Sequence, residues 1–105
     1  MDESAVREEY QQLAQKTGQC SNHDSSTLVY NKSKNRYVDV LPVEDTRVKL
    51  EEIPDIPGSD YINANIVSIG DTGAFICSQA PLPATFEDFW RMVWEQVCLE
   101  FIIMY

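Results

Sequence analysis

Apolar residues recur with helical spacing near the start of the chain and again towards its end, and alternate with polar ones in between. Over residues 4–17, Val6, Tyr10, Leu13 and Ala14 fall on one face and Glu8, Glu9, Gln11 and Gln12 elsewhere, which predicts a surface helix laid on a core. Ser4 is placed to cap it and Gly18 to end it. Cys20 to Thr27 reads as a polar connection. Thr46–Leu50 is short and β-branched enough for a strand, and Glu51 to Asp60, with Pro54, Pro57 and Gly58, predicts a loop. Tyr61–Val67 alternates, with Ile62, Ala64 and Ile66 on an apolar face and Tyr61, Asn63 and Asn65 on a polar one. A turn at Ser68–Gly73 leads to a second strand at Ala74–Ser78, antiparallel to the first because the connection is short.

The clearest helical pattern is Thr85–Val97, where Phe86, Phe89, Trp90, Val93, Trp94 and Val97 share one side. Thr85 with Asp88 makes an N-cap pattern, and Glu87 adds negative charge where the helix dipole favours it. Both tryptophans occupy packing positions and read as core, not as a ligand platform. Cys98 is expected to end the helix. Phe101–Met104 then predicts an apolar strand buried on both faces.

Between the first helix and the strands lies Asn31–Leu50, in which Lys32, Lys34 and Arg36 alternate with small polar residues. Neither an amphipathic helix nor a half-buried strand fits, so a surface loop is expected. Tyr37 offers an aromatic face with a polar tip, and Asp39 can accept from the backbone N–H groups of an extended peptide. The residues alone leave two readings open: a recognition loop, or a loop-anchoring tyrosine beside solvated cations.

Composition narrows the partners. With 105 residues the chain allows one domain with a modest core. A net charge of −9 argues against nucleic acid or an anionic membrane as the main partner, although a local basic patch is available at 32–36. No apolar run is long enough to span a bilayer, and the start MDESAVREEY is too acidic for a signal peptide, so a cytoplasmic address is expected. Three cysteines, an odd number, then read as free thiols. Cys20 and His23 resemble half a zinc site without a second ligand pair, so no metal and no cofactor is expected.

Four stretches in order carry a more specific signal: Lys34-Asn35-Arg36-Tyr37-x-Asp39 with Pro42 and Thr46-Arg47-Val48; Asp60-Tyr61-Ile62-Asn63-Ala64-Asn65; Gln79-x-Pro81-Leu82-Pro83-x-Thr85; and Asp88-Phe89-Trp90-x-Met92-Val93-Trp94-Glu95. Together they resemble the opening half of a classical protein tyrosine phosphatase catalytic domain. The resemblance implies an α/β (α+β) fold, a mixed β-sheet flanked by helices, with this chain incomplete and ending at the first central strand. Within it, residues 1–30 would form the leading helix and connection, 31–50 the phosphotyrosine recognition loop and strand, and 60–105 the remaining strands and helix. Phosphotyrosine proteins or peptides would be the partners. The uncovered strand near the C-terminus would favour association with other chains.

The resemblance also assigns residues. Tyr37 would stack on the phosphotyrosine ring and set a pocket depth that phosphoserine cannot span, and Asp39 would accept from the substrate backbone. Val38 lies at the substrate flank, where many relatives carry a charge. Asn35 and Arg36 would hold the loop; Asn63, Asn65, Gln79 and Pro81 would brace the neighbouring loops; Trp90 would anchor the helix. Val43 and Glu44 replace a common aromatic-acid pair. Ala80 stands where a glycine is usual, and would be strained if that position needs a positive φ.

The groups missing from the chain are equally informative. Such phosphatases attack phosphorus with a thiolate in a Cys-x5-Arg loop. Six places after Cys20, Cys77 and Cys98 stand Ser26, Pro83 and Met104, none of which can do an arginine's work. Neither tryptophan precedes a proline, so the usual general-acid context is missing too. Two functions are therefore expected: the N-terminal part of a tyrosine phosphatase that is inactive alone, or a non-enzymatic phosphatase-like interaction module.

Overall fold

A computed structural model of the chain describes residues 2–17 and 22–97. Its centre is a three-stranded antiparallel sheet in the order β1-β2-β3, formed by β1 (Arg47–Lys49), β2 (Tyr61–Ser68) and β3 (Ala74–Ser78). Helices α1 (Glu3–Thr17) and α2 (Asp24–Thr27) precede it, and α3 (Phe86–Glu95) comes after it. The architecture is α+β. Helix α3 stops at Glu95, two residues short of the end expected before Cys98, because Gln96 and Val97 form a turn in which Val97 takes a left-handed φ of 52°. The helix stop expected at Gly18 and the strand expected at Phe101–Met104 lie outside the described residues, and the described sheet is antiparallel throughout.

The β2–β3 hairpin pairs Ser68 with Ala74 at the turn and Ala64 with Ser78 at its open end. Gly70 and Gly73 take left-handed φ values of 48° and 113° in the turn, which the absence of a Cβ permits. On the apolar face of β2, Ile62 and Ala64 join Val48, Leu50 and Met92 in the core, with Ile76 and Phe89 packed against it. The polar face is buried as well. Tyr61 and Asn63 are covered by the 31–46 segment and exchange side-chain hydrogen bonds with it. At this end β2 is therefore a two-faced element, while Ile66 and Val67 further along are exposed.

Helix α3 docks on a different face from the one its pattern predicts. Met92, 3 % exposed, enters the core, whereas Trp94 is 86 % exposed and Phe86, Trp90 and Val97 are more than half exposed. The tryptophans are not core residues. The reason is polar: Arg91 donates to Ser59 O at 3.2 Å and to Glu51 O at 2.6 Å, and Glu95 Oε1 accepts from Glu51 N–H at 2.7 Å. These bonds turn the 91/92/95 face towards the 51–59 loop; of the predicted stripe, Phe89 packs against the core and Val93 is half-buried, while Phe86, Trp90, Trp94 and Val97 stay outside. Thr85 stands at the N-cap as expected, but its side chain makes no capping bond to the helix, because Thr85 Oγ1 accepts from Leu82 N–H at 2.8 Å instead. Asp88, its expected companion, pairs with Arg91 at 3.2 Å.

Helix α1 starts at Glu3 and is capped by Asp2, whose carboxylate accepts from the backbone N–H and hydroxyl of Ser4. Ser4 is thus the capped residue and not the cap. Val6, Tyr10 and Leu13 remain exposed, so α1 does not lay this face on the core as expected; the stripe holds only three large apolar side chains and makes a narrow face. The polar connection before the loop contains α2, a single helical turn that buries Ser26. No described helix is long and apolar enough to cross a membrane.

Candidate functional site

The loop from Lys34 to Asp39 runs between α2 and the open end of the β2–β3 hairpin, and each of its edges is tied to one of them. Asn35 holds the inner edge: its Oδ1 accepts from the Tyr61 hydroxyl and from Asn63 Nδ2 at 3.1 Å, and its Nδ2 donates to Ser26 O at 3.1 Å. Asn63 Nδ2 also donates to Val40 O at 2.9 Å, fixing the far side of the loop. Burial pushes the Tyr61 hydroxyl up to about 12, with the neighbouring Glu44 carboxylate adding to the rise and Arg47 opposing it. A neutral hydroxyl is what the bond to Asn35 requires.

The outer edge is held from β3. Gln79 Oε1 accepts from Arg36 N–H at 2.9 Å and its Nε2 donates to Lys34 O at 2.7 Å. The Arg36 guanidinium in turn donates to Ala80 O at 3.1 Å and Pro81 O at 3.0 Å. Pro81 acts through its carbonyl. Ala80 is not among the residues with positive φ, so its replacement of glycine carries no left-handed strain. Asn65, one step outward on β2, donates to Val43 O and Thr46 Oγ1, both at 2.9 Å, and accepts from Val43 N–H at 3.2 Å.

Between these ties, Tyr37, Val38 and Asp39 project into solvent. Tyr37 is 61 % exposed and Val38 92 % exposed, and neither the Tyr37 hydroxyl nor the Asp39 carboxylate has a partner among the described residues. The hydrogen bonds that anchor the loop are made by Asn35 and Arg36 and not by the Tyr37 hydroxyl. The basic patch at 32–36 is smaller than expected: Arg36 is engaged as above, and Lys34 Nζ donates to Gly58 O at 2.6 Å. Trp90 meets Phe89 edge-on at 5.7 Å between ring centres; Phe89 packs against the core beside Met92, and Arg91 and Glu95 add hydrogen bonds to the 51–59 loop.

Sequence reasoning passed over three contributors. Ser26 accepts from Asn35 through its carbonyl and Tyr61 donates to the same side chain; only the shared face of Tyr61, Asn63 and Asn65 hinted at the latter. Arg47, almost fully buried, bridges Glu44 at 3.2 Å and Asp60 at 3.0 Å and so joins the segment after the loop to the start of β2. Burial opposes charge on Glu44, but hydrogen bonds from the Ser25 hydroxyl and backbone and the Arg47 guanidinium hold its carboxyl below the usual range. His23 Nδ1 lies 2.6 Å from Pro42 O, a contact its N–H donates. Cys77 is a free, exposed thiol; Cys20 and Cys98 lie outside the described residues.

The protein-tyrosine phosphatase family model matches residues 31–105, from the start of this loop onward. The chain belongs to that family. Tyrosine-protein phosphatase 1 of Dictyostelium discoideum is 47 % identical over 93 residues, 89 % of this chain and 18 % of that protein. Receptor-type tyrosine-protein phosphatase F of Homo sapiens is 47 % identical over 88 residues, 83 % of this chain and 5 % of that protein. Receptor-type tyrosine-protein phosphatase S of Gallus gallus is 43 % identical over 104 residues, 98 % of this chain and 7 % of that protein. The chain therefore spans less than a fifth of the length of these relatives.

Proposed function

We propose that these residues form the N-terminal part of a phosphatase domain that hydrolyses phosphotyrosine in proteins, and that the Lys34–Asp39 loop receives the phosphotyrosine. The observation that carries this reading is the contrast within the loop. Its backbone is tied at Lys34, Arg36 and Val40, yet Tyr37 and Asp39 between them are exposed and unpartnered among the described residues. Such an arrangement holds a ring and a carboxylate ready at little ordering cost. Tyr37 stacks on the substrate ring, Asp39 accepts from substrate backbone N–H groups, and Val38 lines the flank. Asn35, Arg36, Asn63, Asn65, Gln79 and Pro81 keep the loop in place.

In this reading a cysteine thiolate attacks phosphorus, the bond to the tyrosine oxygen breaks, and water later hydrolyses the cysteinyl-phosphate. That thiolate and its arginine are not in this chain, because none of Cys20, Cys77 and Cys98 has an arginine six places later, so the chain by itself is inactive. The reaction belongs to the cytoplasm, where thiols stay reduced. The same cysteine spacing favours a second reading, a non-enzymatic interaction module.

Calorimetric titration of the chain with a phosphotyrosine peptide, beside an aryl-phosphate hydrolysis assay, tests both. Weak binding, in the high-micromolar range or poorer, lost in Tyr37→Ala and accompanied by no turnover, is expected, because charge-assisted phosphate contacts worth roughly 1.5–3 kcal/mol each are missing. Tight binding that Tyr37→Ala abolishes favours the interaction module. Turnover that survives replacement of all three cysteines overturns the mechanism.

A further inference from the structure

A cavity of about 460 Å³ opens beside the recognition loop, between the segment after α2 and the loop that precedes β2. Its size falls in the range of roughly 300–1,000 Å³ usual for ligand sites. Leu28, Tyr30 and Ile56 supply apolar walls, the exposed Glu52 and Asp55 stand at its rim, and Asn31 forms its floor.

Three polar groups of this cavity, Asn31 Oδ1 and the carboxylates of Glu52 and Asp55, are unanswered among the described residues. Asn31 is 1 % exposed and its Nδ2 donates to Ser25 O at 2.9 Å, but its Oδ1 is buried with no donor among the described residues. That oxygen lies against Gly58, another lining residue, so closely that a Cβ there would overlap it. Buried acceptors nearly always have a partner, so this one marks a place where positive potential is missing. Neither the Glu52 nor the Asp55 carboxylate has a partner among the described residues, whereas Asp60 is neutralised by Arg47 at 3.0 Å. The nearby Lys34 ammonium is turned onto Gly58 O. No cation of the described chain fills the gap.

The complement is an organic cation, since no group of three His, Cys, Asp or Glu among the described residues could hold a metal ion. Apolar walls suit an alkyl stem, an aromatic ring suits a planar cation, and two separate carboxylates suit a fork of donors better than a point charge. We propose that this cavity takes the guanidinium side chain of an arginine on a partner polypeptide. The stem lies along Leu28 and Ile56, the guanidinium stacks on Tyr30, and its N–H groups face Glu52, Asp55 and the negative potential of Asn31 Oδ1. The net charge of −9 steers such a partner to the surface. The site is separate from Tyr37 and does not depend on phosphotyrosine binding.

The probe is an acetylated, amidated Gly-Arg-Gly peptide, with the neutral citrulline peptide as control, titrated into the full chain while the amide resonances of Asn31 and Gly58 are followed. Saturable shifts with the arginine peptide alone are expected, unchanged in Tyr37→Ala and weakened about fivefold in the Glu52→Gln/Asp55→Asn double variant. Asparagine tolerates the left-handed φ of 67° that Asp55 holds, so that variant keeps its backbone. No shift at millimolar peptide, an equal response to citrulline, or a response that survives the double variant overturns the proposal. An equal response to a lysine peptide overturns the guanidinium assignment.

Discussion

Gln79 and Arg36, 43 residues apart in sequence, hold each other's neighbourhoods in place: the Gln79 amide takes the backbone N–H of Arg36 at 2.9 Å, and the Arg36 guanidinium takes the carbonyls of the two residues after Gln79. Gln79→Ala leaves Arg36 N–H and Lys34 O without these partners, which is expected to cost about 1–3 kcal/mol. Urea denaturation measures the loss, and amide exchange localises it. Exchange at 34–37 should accelerate while the β2–β3 ladder is little changed. Unaltered exchange at Arg36 would show that the amide does not brace the loop.

Gly58 and Gly70 both hold left-handed backbone, at φ 77° and 48°, but only one is crowded. A Cβ on Gly58 would overlap Asn31 Oδ1 and stand 2.6 Å from Tyr30 Cδ2, whereas one on Gly70 meets nothing within 4 Å. Gly70→Ala is expected to cost about 1 kcal/mol through backbone strain alone. Gly58→Ala adds overpacking and should cost about 2–4 kcal/mol. Equal urea midpoints for the two variants would mean that the Tyr30–Asn31 segment yields freely.

Two groups set opposite ends of the pH profile. Ser25 and Arg47 hold the Glu44 carboxyl below its ordinary value of 4.5 despite burial, so its stabilising contribution is complete above that value and is lost as pH falls through the lower folded one. Burial holds the Tyr61 hydroxyl neutral to about 12 against an ordinary 10.0, so its contribution is complete below 10.0 and is lost as pH rises through about 12. Stability measured against pH should lose its acid-side Glu44 component in Glu44→Gln and its alkaline component in Tyr61→Phe. An acid limb identical in wild type and Glu44→Gln would refute the first assignment.

On α3, Met92→Ala should cost about 2–5 kcal/mol because it empties a core position. Trp94→Ala should change stability by no more than about 0.5 kcal/mol, as surface substitutions do. Thermal melts of the two variants check the ranking. A larger loss for Trp94→Ala would place that side chain in the core after all.

That ranking is the reverse of what the sequence suggests, and it shows where periodicity stops being informative. Spacing identified α3 and the β2–β3 hairpin because each repeats its pattern several times. It shows which residues of a helix share a face, but not which face docks, and here Arg91 and Glu95 settle the docking through bonds to Ser59 and Glu51. Alternation likewise put Tyr61, Asn63 and Asn65 on one face of β2 without showing that the 31–46 segment covers Tyr61 and Asn63. Helix α2 was illegible because four residues cannot display a period. The loop residues were legible as a group through resemblance, but their partner atoms lie too far along the chain for any local pattern to name.

Those long reaches also fix an order of events. The β2–β3 hairpin closes outward from a short turn, whereas the ties that join the Lys34–Val40 segment to Gly58, to β2 and to Gln79–Pro81 span 23 to 45 residues. Closing the longer spans before the hairpin exists would cost chain entropy with no edge to dock on. The hairpin is therefore expected early on the folding pathway and the loop late. In a chevron experiment, weakening the hairpin should slow folding, and Gln79→Ala should chiefly hasten unfolding. The segment that carries Tyr37 is expected to be the last to take shape and the first to let go.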